Sequence, residues 1–180
     1  MLSKQQILDK VSNLNVAGKG DKRWPHKPLL LLVAIKALQN SKESLSFNEV
    51  ESELAPLLSV FAPPARTQNI KDPYWRLKGD QLWKISGIDS ALLRMSTPPN
   101  ISLLRKTSAM LIPEFASYLE SDPAFIELVV QRILDAYFPE ILHEEITGTI
   151  DLGREVNRVR DEPPAAYKKK RSRRHMELFV

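Results

Sequence analysis

Apolar residues in this chain come in blocks, and their spacing changes from block to block. Behind Ser3, which suits a helix N-cap, Ile7, Leu8, Val11 and Leu14 recur at helical spacing and predict a first amphipathic helix. "NVAGKGDKRWPH" follows, a glycine- and cation-rich loop closed by proline. Residues 28–39 are then apolar nearly all round, which predicts a central buried helix with Pro28 in its first turn, where the missing N–H is not needed. In "SLSFNEVESELAPLLSVF" the pair Ser46 and Glu49 makes a capping box, so a helix begins near Phe47, and Pro56 bends or splits it. "APPARTQN" reads as a proline loop. In "YWRLKGDQLWKI", Trp75 and Leu77 face Leu82, Trp83 and Ile85 across Lys78–Gln81, a pattern that predicts a β-hairpin. The second half is mostly helical, with Asp122-Pro123 starting a helix that ends at Pro139.

This order predicts an α+β chain, mostly helical, with a winged-helix-like core carrying a β-hairpin and a C-terminal helical part. A winged-helix plan presents a helix end and a wing to a nucleic-acid backbone. The order of elements alone accommodates equally a small α+β domain with a surface hairpin. Residues 1–150 are expected to form one domain, and "RDEPPAA" to open a linker and basic tail over 151–180. No internal repeat is present.

Composition narrows the function classes. Hydrophobic residues make up 43% of the 180 residues, enough for one core. The chain has no cysteine, which excludes disulfides, thiolate zinc sites and cysteine nucleophiles and suits a reducing compartment. The N-terminus lacks the apolar stretch of a signal peptide, and the longest apolar run, Leu29 to Ile35, is too short to span a bilayer. A soluble cytoplasmic protein with no membrane partner is expected. The net charge of +4 permits nucleic-acid binding without establishing it. Six cations lie between Tyr167 and His175, a segment that reads equally as a phosphate-binding arm or a solvated end.

Catalytic chemistry is hard to assemble. His26, His143 and His175 form no metal-binding pair, and "HEEI" at 143 is half a zincin motif, with His143 expected on the surface just past a helix. There is no phosphate-binding glycine loop and no nucleophile elbow. Asp80 and Lys84 in "GDQLWK" lack the second acid that a metal-dependent nuclease needs. The expectation is no enzyme, no metal and no cofactor.

Three segments carry a resemblance as a set: "WPHKPLLLLVAIKAL", "DPYWRLKGDQLWKI" and "LESDPAFIELVVQRILDAYFP". Over roughly residues 15–140 the chain resembles the sulfur-binding domains of phosphorothioate-dependent restriction endonucleases, which typically precede an HNH nuclease domain. The resemblance implies a reader of phosphorothioated double-stranded DNA within a modification-dependent restriction system. It implies that His26 and Lys27 contact the modified phosphate, that Lys19 supplies another backbone cation, and that Pro73 and Arg76 belong to the sulfur pocket. Asp72 stands where the family often has an aromatic residue, and "Asp-Gln-Leu-Trp" replaces the usual "Asp-Gly-Leu-Trp". No HNH segment follows, so the chain is expected to be a stand-alone reader or a fragment, with any nuclease supplied by a fused or partner HNH-type domain.

Physical chemistry suggests how such a site would work. Sulfur is larger, softer and less hydrated than oxygen, so an apolar wall penalises oxygen more. The rings of Pro73, His26 or Tyr74 would supply that wall, and Lys27 and Lys19 would neutralise the charge. Trp75 and Trp83 read as core residues. Lys22 and Arg23 would grip phosphates, as would Arg94 and Lys106, whose contacts position without specifying. Arg66, Gln68, Asn69 and Lys71 on the proline loop would read neighbouring base edges. The alternative is a general winged-helix-like DNA-binding domain without sulfur preference.

Overall fold

The computed structural model describes residues 1–18, 23–66 and 68–152. Lys19, Lys22, and the expected linker and basic tail from residue 153 onward lie outside the described residues. Helix α1 (Lys4–Ser12) starts as the sequence predicts. Ser3 Oγ accepts the Gln6 N–H at 3.2 Å, and Gln6 Oε1 accepts the Ser3 N–H at 2.8 Å. Two first-turn donors are thereby satisfied, while Ile7, Leu8 and Val11 face inward.

Helix α2 (His26–Gln39) is the post of the fold. Every residue from His26 to Ile35 is buried, so no side of it is left for water. Each fully buried leucine contributes about 1.5–3 kcal/mol by leaving solvent. The helix begins two residues earlier than the leucine pattern suggests: Pro25 is the N-cap, its carbonyl accepts the Leu29 N–H at 2.9 Å, and Pro28 is the third helical residue. Proline fits there because the N–H groups of the first turn have no intrahelical acceptor. His26 and Lys27 are consequently drawn into the helix and into the core.

A short strand β1 (Leu45–Ser46) leads into α3 (Phe47–Phe61), capped by the Ser46–Glu49 box. The helix runs unbroken through Pro56, so of the expected bend or split, the split does not occur. The next stretch corrects the sequence reading. Lys71–Arg76 form helix α4, Leu77–Asp80 a 3-10 turn, and only Trp83–Ser86 a strand, β2. Tyr74, Trp75 and Leu77 are all buried together with Pro73, which is not the alternation of a strand, and proline does not suit a strand interior. Gln81, at φ 62°, takes the left-handed turn that releases the chain into β2.

The hairpin exists elsewhere. Strand β2 pairs antiparallel with β3 (Ser108–Leu111), Trp83 opposite Leu111 and Ser86 opposite Ser108. Its connection, residues 87–107, holds the short helices α5 (Ser90–Leu93) and α6 (Ile101–Leu104). β3 also pairs with β1, giving the order β1-β3-β2. The sequence α2, β1, α3, α4, β2, β3 around that sheet gives the expected α+β plan, with the strand pairing one segment later than predicted.

Helices α7 (Pro113–Ser121), α8 (Pro123–Tyr137) and α9 (His143–Ile150) complete the α+β domain. Asp122 caps α8 as expected, its side chain accepting the Ala124 N–H at 3.1 Å. α2 packs against α3, α4, α7, α8 and α9, and α1 against α7 and α8. The Tyr137 hydroxyl donates to Val11 O at 2.7 Å and accepts the Leu14 N–H at 2.8 Å, joining α8 to the end of α1. His143 is not a surface residue past a helix: it opens α9, half-buried, with Nε2 3.0 Å from Phe138 O. Among the described residues no helix is long and apolar enough to cross a membrane.

Candidate nucleic-acid interface

The N-terminal end of α2 gathers much of the predicted site. Pro25 offers no side-chain cap, and Pro28 has no N–H, so the donors of the first turn are those of His26 and Lys27. His26 is 8% exposed, and its Nδ1 is buried without a hydrogen-bond partner. Burial holds the ring's pKa below the ordinary histidine value, because the charged form loses hydration; donation from the ring to the Gln68 side chain and the charge of Asp72 pull the other way. Those influences place Gln68 and Asp72 beside the ring, so the proline loop and α4 both converge on α2.

Asp72 is not an isolated acid. Its carboxylate accepts from Asn69 Nδ2 and, at 3.4 Å, from Arg76 Nε one helical turn on. Asn69 Oδ1 in turn accepts the Asp72 N–H at 3.2 Å and starts α4. Asp72 thus orients an amide and a guanidinium that are both exposed. Gln68 Nε2 donates to Pro63 O at 3.3 Å, which braces the loop. Arg66 is exposed and Lys71 half-buried on the same segment.

Two predicted pocket residues point elsewhere. Lys27 is 8% exposed, and its ammonium donates to Asp80 Oδ2 at 2.6 Å and to Asn15 O at 2.7 Å, so it is occupied inside the fold rather than offered to a phosphate. Asp80 Oδ1 also accepts the Asn15 N–H at 2.8 Å. Tyr74 is 0% exposed, with its ring edge-on to Phe47 and Trp83. The one hydroxyl proton of Thr107 goes to Leu104 O at 2.6 Å, so Tyr74 donates to Thr107 Oγ1 at 2.8 Å. Burial pushes its phenol up to about 12. Neither side chain presents a surface to a ligand. Pro73 is buried in the first turn of α4.

The remaining cations are spread. Arg23 is exposed, with Nη1 3.4 Å from Ala136 O and its guanidinium 5.6 Å from the Tyr137 ring centroid, which ties it to the end of α8. Arg94 and Lys106 are exposed on the β2–β3 connection. Trp75 and Trp83 are core residues, as read: their indole N–H groups donate to Met95 O and Tyr74 O.

Three residues were missed. Trp24 is 48% exposed, with its ring 5.1 Å from that of His26; an aromatic just outside a buried helix was the available signal. Asp80 had none, since its partner lies far off in sequence. Lys78 sits over the Trp75 ring at 4.4 Å, and its pKa is lowered by burial and by the charges of Arg76 and Lys27. A cavity of about 280 Å³ between α2, the sheet and α7 includes none of the predicted site residues.

The fold has close counterparts among solved structures. A chain described as the sulfur-binding domain of ScoMcrA complexed with phosphorothioated DNA is 21% identical, with a TM-score of 0.63 over 81% of this chain and 96% of that one. The corresponding domain of SprMcrA, also complexed with phosphorothioated DNA, is 16% identical, with a TM-score of 0.64 over 83% and 96%. The whole type IV phosphorothioation-dependent restriction endonuclease ScoMcrA matches at 20% identity and TM-score 0.63, but over only 32% of its length. No curated protein matches. The model of the ScoMcrA-like DNA sulfur-binding domain matches residues 4–155 of the 180, and the chain therefore belongs to that family.

Proposed function

We propose that the chain binds double-stranded DNA carrying a phosphorothioate and serves as the recognition module of a modification-dependent restriction system. Residues 1–150 form the reader, and 151–180 a linker with a basic tail. The reader has no catalytic role, and cleavage falls to an HNH-type nuclease domain or subunit.

The observation that carries this reading is the N-terminal end of α2, where His26 Nδ1 is buried without a partner in a chain of this family. Helix N-termini attract anions through free N–H groups and the helix dipole. With Pro28 removing one donor, the His26 ring takes over part of that work, and Arg76, oriented by Asp72, adds a cation. Pro73 belongs to the buried floor. Arg66, Gln68, Asn69 and Lys71 read base edges beside the modified phosphate, and Lys19, Lys22, Arg23, Arg94 and Lys106 position the backbone.

Fluorescence anisotropy tests the proposal, with two duplexes that differ only in one R-configured phosphorothioate, at fixed salt. A preference of about a hundredfold, or about 2.7 kcal/mol, is expected. Equal affinity would overturn it and leave a winged-helix-like DNA-binding domain without sulfur preference.

A further inference from the structure

Discrimination between sulfur and oxygen needs an apolar surface at the mouth of the site, and few residues there can provide one. Tyr74 is sealed in the core. Position 72 carries a carboxylate held by Asn69 and Arg76. Trp24 differs: 48% of it is exposed, and its ring lies against His26, centroids 5.1 Å apart and planes tilted by 31°. The backbone that carries the ring is held at both sides. The Trp24 N–H donates to Ala17 O at 2.9 Å, and the next residue, Pro25, is the buried N-cap of α2.

We propose that the Trp24 indole is a wall against which the sulfur rests, and that it supplies part of the sulfur preference of the site; this rests on the reading that the chain binds phosphorothioated DNA. The two neighbours divide the task. The unpartnered His26 nitrogen, more than nine-tenths buried, meets the anionic group and treats phosphate and phosphorothioate alike. The indole face offers no donor to an oxygen, which loses water there without compensation. Sulfur has less hydration to lose and gains dispersion against the aromatic ring. Trp24 is therefore a specificity residue, while the cations supply affinity common to both ligands.

Trp24→Ala should weaken binding of the phosphorothioate duplex by about three- to tenfold and change that of the unmodified duplex by less than about twofold. Trp24→Phe, which keeps an aromatic face, should retain most of the preference. The unmodified duplex acts as internal control, since misfolding lowers both affinities together. An equal loss on both duplexes would make Trp24 a general backbone contact and sink the inference, as would an unchanged ratio. Wild-type protein that binds both duplexes equally takes down the parent reading with it, an outcome visible before any variant is made.

Discussion

Replacing Lys27 by methionine tests how the N-terminal end of α2 is held. The Lys27 and Asp80 side chains are 10% and 7% exposed, with Nζ and Oδ2 2.6 Å apart. Methionine keeps most of the stem and removes the ammonium. Asp80 is then left as a nearly dry carboxylate beside the Asn15 N–H, and Asn15 O loses its donor. Breaking a buried pair in this way costs about 3–5 kcal/mol, out of about 5–15 kcal/mol for a domain. At about 2–4 °C per kcal/mol for this size, the melting temperature should fall by roughly 6–20 °C. Urea unfolding followed by tryptophan fluorescence gives the free energy, and circular dichroism gives the melt. The double variant Lys27→Met with Asp80→Leu removes both charges and should recover most of the loss, because an apolar pair of similar volume is about neutral or stabilising. The reasoning is refuted if the single variant melts within about 2 °C of wild type, or if the double variant is no better than the single.

Tyr74→Phe removes a buried hydrogen bond to Thr107 and nothing that faces a ligand; it should cost about 1 kcal/mol in urea unfolding and leave the preference for phosphorothioate unchanged. A collapse of that preference would restore Tyr74 to the pocket. The buried His26 ring holds its proton less tightly than in the unfolded chain, where histidine titrates near 6.5, so on acidification the unfolded state takes up the proton first. The stability this ring contributes is complete above 6.5 and is lost as pH falls toward the folded-state value. Unfolding at about pH 7.5 and about pH 5.5 should therefore show a smaller acid loss in His26→Gln than in wild type, and equal losses would remove His26 as the cause.

Much of the fold was legible because it is written locally. Ser3, Ser46 and Asp122 are caps whose partners lie within a few residues, and α1, α3 and α8 start beside them as read. The misplaced hairpin shows the limit. Trp75, Leu77, Trp83 and Ile85 offer a period that a strand or a short helix can satisfy, and the choice was made by β3, which pairs with β2 from beyond residue 107. The site divides in the same way. Gln68 and Asp72 come beside His26, and Asn69 and Arg76 bind Asp72, because one loop and one helical turn bring them there. Lys27 looked like an exposed cation because Asp80, which claims it, is reached only through the folded chain. Position along a helix says where a side chain starts, while its charge partner decides where it ends.

The all-round burial of α2 has a consequence for how this module can diversify. A helix packed against α3, α4, α7, α8 and α9 leaves no direction in which its leading end can shift without disturbing several neighbours at once. Under the proposed function, selection for folding and selection for anion recognition act on the same residues, and drift in the leucines would be read out as altered binding. The loop from residue 62 to 69 is under no such double constraint, being exposed or half-buried where described. Divergence in sequence preference among related readers is expected to accumulate there, with the post held constant beneath it.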